Sequence, residues 1–422
     1  MEVYRKRSVC RQKKKYDSLS MELQDRILED RKNHVENPYA FPDERVIRRR
    51  PDHDRANLWR PAFVRDCEKI MHIPYYNRYA DKTQVFSLYK NDDISRRSQH
   101  VQLVARIARN IGRVLNLNQD LIEAIALAHD IGHTPFGHAG ERMLNDLYHS
   151  HTGRYFNHNI QSARVIDRIF PLNISLQTLD GVICHNGELE LKEYRPVPYE
   201  DFALFDQKME QCYTDTEAVK RLVPSTLEGC VVRVSDIIAY LGKDRQDAMK
   251  LGLFEEDPDY EISSIGTTNA EIINNISVNI MENSYGQNYL KMDDQYFEAL
   301  KGSKKENYRR IYGNEKLEAV YREQISPMFR DIYEKLLSDY EKKDRSSVIF
   351  THHMDYLYDM THYYADFAAY EAEDANDIVV DYMASMTDDY FIDLYHYLFP
   401  KGRYQVSYVG YFDHEKKMKG EI

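Results

Sequence analysis

Apolar residues recur along this chain at the three- and four-residue intervals of amphipathic helices, and alternating strand-like patterns are scarce. The clearest stripe runs through SQHVQLVARIARNIGRVLNL. In the next segment, NQDLIEAIALAHDIG, Asn118 or Asp120 is the candidate N-cap and Gly132 the predicted stop. A long helix is expected from about Thr226 to Met249. The pattern therefore predicts an all-α protein.

Other stretches are less regular. Residues 1–60 are polar and rich in charge, and 252–300 offer few apolar anchors. The segment GRYQVSYVGYFD near the C-terminus is typical of a short strand, so a small β-hairpin is expected. We divide the chain into a basic and polar N-terminal segment, 1–60, a core, 61–250, and a mostly helical C-terminal region, 251–422. The last region is expected to complete the pocket and to provide oligomer contacts.

Composition narrows the class of protein. The net charge of −12 argues against nucleic acid as the main partner, although basic residues gather near the N-terminus. No apolar run approaches the roughly 20 residues that cross a bilayer, and no apolar stretch follows the N-terminal basic residues as in a secretory signal. The five cysteines are scattered, which favours reduced thiols. We therefore expect a cytoplasmic protein without a membrane partner.

The run ALAHDIGHTPFGHAGE carries the main chemical signal. His129 and Asp130 are adjacent, His100 lies upstream, and Asp236 lies downstream, which gives the order H…HD…D. Imidazole and carboxylate groups together suit Mn, Fe, Mg or Zn ions. These four side chains predict one divalent metal ion, which would polarise a phosphoryl oxygen and activate a water molecule.

Asp236 interrupts the apolar run CVVRVSDIIAYL, where an unpaired carboxylate would be costly. A metal ion would be one partner, and Arg233 or Arg245 would be another.

His138 and Glu141 are three residues apart, so on a helix they face the same way. A carboxylate beside a histidine fixes its tautomer and raises its pKa, which suits proton transfer. The alternative is a hydrogen bond that only supports the start of a helix.

The order H…HD…D is the pattern of the HD-domain metal phosphohydrolases. Several segments further resemble one branch, the dGTP triphosphohydrolase family, in the correct order from about residue 60 to 400. These segments are FVRDCEKIMHIPYYNRYADKTQVF, RRSQHVQLVARIA, AHDIGHTPFGHAGE, FNHNIQSARVI, TLEGCVVRVSDIIAYLGKD and DYMASMTDDY.

The resemblance implies an α-helical HD catalytic core around one metal ion, and hydrolysis of a deoxynucleoside triphosphate to deoxynucleoside and inorganic triphosphate. It also implies a homo-oligomer and nucleotide-linked regulation, in which a nucleotide would act as the activator. It assigns the metal-ligand positions to His100, His129, Asp130 and Asp236. It assigns catalytic roles to His138 and Glu141.

The resemblance assigns the substrate contacts to Gln84, Arg97, His133, His158, Tyr240 and Asp244. Arg97 and the two histidines match positions around the phosphates, and Gln84 matches a position near the sugar. Tyr240 matches a ring under the deoxyribose, and Asp244 a carboxylate that receives the 3′-hydroxyl. Tyr240 and Asp244 follow Asp236 at four and eight residues, so all three are expected on one helix face.

The chain also departs from that family. It has SDIIAY where a double aspartate is usual, Ser385 where a glycine is usual, and ICHNGE with His185, which is a phosphate contact or a polar helix-end residue. One alternative is therefore an HD phosphohydrolase acting on nucleoside monophosphates or cyclic nucleotides. Another is a non-catalytic nucleotide-sensing or nucleic-acid-binding protein. The isolated His352, His353 and His362 are read as structural or surface groups.

Overall fold

The structure, a computed structural model, describes residues 15–186, 190–253, 263–313 and 315–413. The basic residues before Lys15 and the Glu188 of ICHNGE lie outside these ranges. The α-helices of the N-terminal half are α1 (Met21–Lys32), α2 (Ala62–His72), α3 (Pro74–Asn77), α4 (Arg97–Val114), α5 (Gln119–Ala128), α6 (Gly137–Thr152), α7 (His158–Arg164), α8 (Leu176–Ile183), α9 (Phe202–Thr214) and α10 (Leu227–Lys250). The α-helices that follow are α11 (Asn269–Ser284), α12 (Asp294–Asn307), α13 (Glu315–Val320), α14 (Ser326–Glu341), α15 (Asp355–Thr361), α16 (Phe367–Glu371), α17 (Ala375–Ser385) and α18 (Asp388–Leu398).

The predicted all-α class is confirmed. Within the described ranges the strands are β1 (Glu193–Tyr194) and β2 (Leu290–Lys291), which pair antiparallel with Glu193 opposite Lys291. The expected strand in GRYQVSYVGYFD is wrong: this segment makes only an isolated bridge between Val409 and Tyr89. Other backbone amides of the segment bond to side chains instead of a neighbouring strand, with Gln405 donating to Gln324 and Gly410 to Asp413.

Helix α10 is the central element of the fold. It begins after Thr226, whose hydroxyl accepts a hydrogen bond from the Gly229 amide, and its 24 residues match the predicted long helix. It packs against α4, α5, α8 and α11. Because Ile237, Ile238 and Leu241 are fully buried in these contacts, the position of Asp236 on the same helix is fixed by core packing.

Helix α5 starts as predicted, with the Asn118 side chain accepting from the amides of its first turn, but it ends at Ala128 rather than at Gly132. The chain then turns tightly, with the His133 amide donating to the Asp130 carbonyl. Gly132 serves a different purpose: a Cβ there would lie 2.3 Å from the amide nitrogen of Ser162 in α7. Glycine therefore allows the HD turn to press against α7.

The irregular character expected for 252–300 is wrong for the described part after residue 263. Helix α11 begins with a capping box between Thr268 and Glu271. Its residues Ile272 and Ile276 are fully buried, and the helix packs on α10. Tertiary burial of a few apolar residues thus stabilises a helix whose sequence shows only a weak stripe.

The C-terminal region completes one side of the core. Helices α14 and α17 both pack on α6. Near residue 385 the chain divides into α17 and α18, because the Thr387 side chain caps a new helix by accepting from the Tyr390 amide. Every helix in the described residues is too short or too polar to cross a membrane.

Candidate active site

The four predicted metal ligands meet at one point between α4, α10 and the turn after α5. His100 Nε2 lies 3.0 Å from Asp236 Oδ1 and 3.9 Å from Asp130 Oδ2. His129 Nε2 lies 3.7 Å from Asp130 Oδ2 and 3.9 Å from Asp236 Oδ1. These spacings are those of donor atoms around one divalent ion, since each metal–ligand distance is about 2.0–2.2 Å.

The ring of His129 supplies the test of whether this set fits a metal. Its Nδ1 lies 2.7 Å from the Ala126 carbonyl oxygen, so Nδ1 carries the proton and donates. The buried Nε2 then presents a lone pair, and it has no hydrogen-bond partner among the described residues. A buried imidazole nitrogen fixed in this tautomer, beside two carboxylates, is what a metal ligand requires.

Asp236 has the partner that a buried carboxylate needs. Arg233 donates to the Leu222 carbonyl and Arg245 to the Asn307 side chain, whereas His100 faces Asp236 directly. Burial would raise the pKa of Asp236, but the contact with His100 lowers it below the usual range.

Arg97 does not simply project into the cavity, as a phosphate contact would. Its Nη1 donates to Asp130 Oδ2 at 2.5 Å, although the side chain also lines the cavity. Burial would raise the pKa of Asp130, but His129 and Arg97 hold that pKa well below its usual range. Arg97 thus keeps Asp130 ionised and fixes its orientation.

The turn before α6 has a strained backbone, and this turn places His138 at the start of the helix. Phe136 has φ 61° and Gly137 has φ 56°, both in the left-handed region, which costs of order 1–3 kcal/mol for a residue with a side chain. The Phe136 amide donates to Asp388 Oδ1 at 2.9 Å, and its ring packs on Phe391. These contacts hold the start of α6 against the cavity.

His138 and Glu141 form the predicted pair, and a third group joins them. His138 Nδ1 lies 2.9 Å from Glu141 Oε2, and the other oxygen of Glu141 lies 2.8 Å from His158 Nδ1. Burial would raise the pKa of Glu141, but the two histidines hold it well below its usual range. Conversely, burial would lower the pKa of His158, but Glu141 raises it to about 9. Glu141 is therefore a shared anion between two imidazoles.

His185 belongs to this group although the sequence left its role open. It follows the end of α8, yet its ring is 1% exposed. Its Nε2 lies 3.1 Å from His158 Nε2 and 3.8 Å from Asp130 Oδ1. The ICHNG motif pointed to this residue, but only the packing of α7 against α8 shows where the ring faces.

One cavity of about 440 Å³ connects these groups, a size within the usual range for ligand sites. Its lining includes the predicted residues Gln84, Arg97, His100, Asp130, His133, His138, His158, Asp236, Tyr240 and Asp244. His129 and Glu141 are not part of the lining, but they contact the lining residues Asp130 and His138. The predicted shared face of Asp236, Tyr240 and Asp244 on α10 is therefore the face that borders the cavity.

The cavity wall beside Asp244 is aromatic. Tyr308 and Tyr312, which the sequence did not single out, lie on a π-helical turn after α12 and line it. The Tyr312 hydroxyl donates to Asp244 Oδ2. Burial raises the pKa of Asp244 to about 7, although the Tyr312 hydroxyl acts in the opposite direction. This carboxyl can therefore both accept and donate hydrogen bonds near neutral pH.

Three polar side chains of the cavity wall have buried atoms that make no hydrogen bond within the described ranges. These atoms are both ring nitrogens of His133, the Oε1 of Gln84 and the Nε of Arg97. Burial and Arg97 lower the pKa of His133 well below its usual value, so the ring is neutral and offers one N–H donor. Such atoms are costly unless a ligand satisfies them.

Asp388 of the MTDD segment is a positioning residue that the sequence suggested only through its resemblance. It is 3% exposed, and its carboxylate accepts from the Phe136 amide and the Thr83 hydroxyl. It therefore ties the KTQVF segment to the turn before His138.

Comparison with known proteins finds an HD domain in the part of the chain that contains the ligand cluster. The HD domain family model matches residues 97–241. A protein of Rhodopseudomonas palustris (strain BisB5), named deoxyguanosinetriphosphate triphosphohydrolase-like, is 39% identical over 47% of this chain, and the match spans half of the relative's length. Proteins with the same name from Desulfatibacillum aliphaticivorans and Caldanaerobacter subterraneus subsp. tengcongensis are 33% and 30% identical.

These last two matches extend well beyond the HD region. The first covers 65% of this chain and 73% of the relative, and the second covers 88% and 95%. With the ligand cluster, the cavity and the helical fold, they show that the chain belongs to the deoxyguanosinetriphosphate triphosphohydrolase-like family of HD-domain phosphohydrolases.

Proposed function

We propose that this chain hydrolyses deoxynucleoside triphosphates, dGTP or several dNTPs, to deoxynucleoside and inorganic triphosphate in a metal-dependent reaction. The observation that carries the proposal is the order of groups along one cavity. In the lining, Arg97 donates to Asp130 of the ligand cluster and His133 stacks on His158. Tyr240 and Asp244 follow Asp236 along α10 at about 6 and 12 Å, so they border the cavity progressively farther from that ligand. A triphosphate joined to a deoxyribose presents its groups in the same order.

The ion would be held by His100, His129, Asp130 and Asp236, and Mn, Mg, Fe and Zn all suit this donor set. When bound, it supplies polarisation of a phosphoryl oxygen and an activated water at neutral pH. The protein orients this chemistry because His100 and Asp236 sit on α4 and α10, which the core holds rigidly together.

Proton transfer falls to His138. Its Nδ1 is engaged by Glu141, so Nε2 is the ring nitrogen that remains for the substrate, and the ring lines the cavity. We assign it the proton that the leaving 5′-oxygen needs when attack occurs at the α-phosphorus. Glu141 fixes the tautomer and stabilises the positive charge that the ring carries in its protonated state.

The charge of the triphosphate is met by neighbouring donors. His133 offers its unsatisfied N–H, and Arg97 can exchange its contact with Asp130 for a phosphate oxygen once an ion neutralises that carboxylate. Fixed donors of this kind stabilise the charge that develops in phosphoryl transfer.

The sugar would lie over Tyr240, with Asp244 and Tyr312 receiving the 3′-hydroxyl and Gln84 close to the ring. The tyrosine would fill the space beside C2′, so a ribose hydroxyl would clash with it. Gln84 supports this placement because its buried oxygen has no other partner in the described structure.

The experiment is product analysis. Purified protein is incubated with each dNTP, singly and in mixtures, with Mn²⁺ or Mg²⁺, and the products are separated by ion-pair chromatography. Deoxynucleoside and intact triphosphate are expected, and turnover only in mixtures would identify a nucleotide activator. Release of orthophosphate from nucleoside monophosphates would instead favour an HD phosphohydrolase that acts on nucleoside monophosphates. Nucleotide binding without turnover of any substrate would favour a sensing protein.

A further inference from the structure

Two arginines and no lysine occur among the described residues that line the cavity, and the two lie in different surroundings. Arg97 is 2% exposed and donates to Asp130 of the ligand cluster. The side chain of Arg142 on α6 is 62% exposed, and its Nη2 lies 3.4 Å from Oε1 of Glu318 on α13, which lines the same cavity. Arg142 is therefore the arginine of the lining that faces solvent.

Arg142 lies one helical turn after His138, on the same side of α6. Residues four apart on a helix share a face and are separated by about 6 Å along the axis. Long helical side chains tend to lean toward the N-terminus, which for Arg142 is the direction of His138. Because both residues line the cavity, a phosphate next to the one that His138 serves would lie within reach of the Arg142 guanidinium.

The charges of the ligand cluster are already matched. The two charges of a divalent ion would be balanced by its two carboxylate ligands, and Glu141 pairs with His158 at 2.8 Å. Arg97 can meet the phosphate nearest to the ion. The outer phosphates of a triphosphate therefore need a further cation, and within the described lining Arg142 is the arginine that remains.

The contact between Arg142 and Glu318 is weak enough to be exchanged. It is a single contact at 3.4 Å, and the Glu318 side chain is 47% exposed. An ion pair in such surroundings contributes little, because water screens the attraction between its charges. A phosphate offers the planar guanidinium two oxygens in a matching geometry and more negative charge, which makes it the stronger partner.

We propose that Arg142 binds the outer phosphates of the substrate in exchange for Glu318, and that this contact makes the site selective for triphosphates over monophosphates. Glu318 is the carboxylate that competes with the phosphates for the guanidinium. The proposal rests on the proposed function, because it requires a nucleotide whose α-phosphate lies beside His138. It adds to that function the side chain that senses the length of the phosphate chain.

The test is calorimetric binding of two probes, inorganic triphosphate and deoxyguanosine, in the presence of Mg²⁺. Arg142→Gln should weaken the binding of triphosphate roughly 10- to 100-fold, the effect of one charged hydrogen-bonding partner, and leave the binding of deoxyguanosine unchanged. Arg106→Gln, which alters an exposed arginine of α4, is the matched control and should bind both probes like the wild type. Unchanged triphosphate binding in Arg142→Gln, or an equal loss for both probes, would overturn the proposal.

Glu318→Gln tests the exchange with the opposite sign. It removes the competing carboxylate, so triphosphate should bind more tightly than to the wild type, and weaker or unchanged binding would contradict the exchange. In steady-state kinetics with dGTP, Arg142→Gln should raise KM more than it lowers kcat, because the lost contact holds a part of the substrate that does not react. A loss confined to kcat would count against the proposal.

The two proposals can fail separately. Hydrolysis of dNTPs by the wild type, with triphosphate affinity untouched by Arg142→Gln, would remove the role of Arg142 alone. No hydrolysis of any dNTP by a chain that has bound its metal would remove the proposed function. Selective loss of triphosphate binding in Arg142→Gln would in that case still identify Arg142 as a phosphate-binding residue.

Discussion

The buried histidines of this chain lie in two different surroundings. At the cavity and the ligand cluster beside it, His129 Nε2 and both nitrogens of His133 lack partners among the described residues. In the C-terminal region, His353 is equally buried, but its Nε2 donates to the Tyr370 hydroxyl at 2.9 Å. That hydroxyl in turn donates to Asp381.

The difference shows what separates a binding site from a packed core. His353 belongs to a closed network, and burial together with Arg78 lowers its pKa to about 3, so it stays neutral and structural. The cavity histidines have a neighbouring carboxylate but leave nitrogens unsatisfied. The number of histidines in a stretch of sequence is therefore a weaker signal than the state of their ring nitrogens.

The largest effect is expected from Asp130→Ala. This change removes the carboxylate beside His100 and His129, so bound metal and dNTP hydrolysis should fall to background. Metal content and turnover are measured on the same preparation.

The control is His353→Gln, which changes the closed network and should retain both metal and turnover. Full activity of Asp130→Ala with added metal would contradict the assignment of the cavity.

The next effect is expected from His138→Gln. A glutamine cannot transfer the proton, so kcat should fall about 10²–10⁴-fold while metal content stays unchanged. Steady-state kinetics with metal analysis checks this. His149→Gln on the same helix is the matched control, because His149 is exposed and stacks on Tyr155 outside the cavity. Equal losses in both variants would show that α6 is merely perturbed.

A smaller effect, dependent on pH, is expected from Asp244→Asn. In the unfolded chain this carboxyl titrates near its ordinary value of 3.8, whereas burial raises the folded pKa to about 7. Between these values the unfolded chain has already released a proton that the folded chain keeps, so the contribution to stability is lost as the pH rises from about 4 to 7.

Asparagine does not titrate and avoids this loss. Asp244→Asn should therefore raise the melting temperature by a few degrees at pH 8 and leave it nearly unchanged at pH 4, as measured by calorimetry without nucleotide. The variant should also lose about tenfold in kcat/KM, the effect of one hydrogen bond to the sugar. An equal change in melting temperature at both pH values would show that Asp244 is not protonated in the fold.

The smallest effect on activity is expected from His353→Gln. Loss of the buried contact to Tyr370 should lower the free energy of unfolding by about 1–3 kcal/mol and leave kcat unchanged. Denaturant unfolding and steady-state kinetics test the two parts. A loss of kcat at full folding would mean that the two histidine groups are coupled.

Much of the site was predictable because its signals are local. The H…HD…D order and the spacing of Asp236, Tyr240 and Asp244 follow from helix periodicity, and the structure places all three along the cavity. The bounds of α4 and α10 followed from apolar stripes and a Thr cap in the same way.

What escaped prediction depends on contacts between distant residues. His158 and His185 are 27 positions apart, and their nitrogens meet only because α7 packs on α8. Asp388 supports the turn at Phe136 from 252 positions away. The end of α5 was also misplaced, because Gly132 serves the close approach of α7 rather than a helix stop. No pattern within one segment encodes these distances.

The most direct measurement is hydrolysis of dGTP in ¹⁸O-labelled water by the Mn-loaded chain, with both products analysed by mass spectrometry. Attack at the α-phosphorus predicts intact inorganic triphosphate carrying one ¹⁸O atom, together with unlabelled deoxyguanosine. Deoxyguanosine diphosphate with labelled orthophosphate, or no turnover by a chain that has bound its metal, would contradict the account.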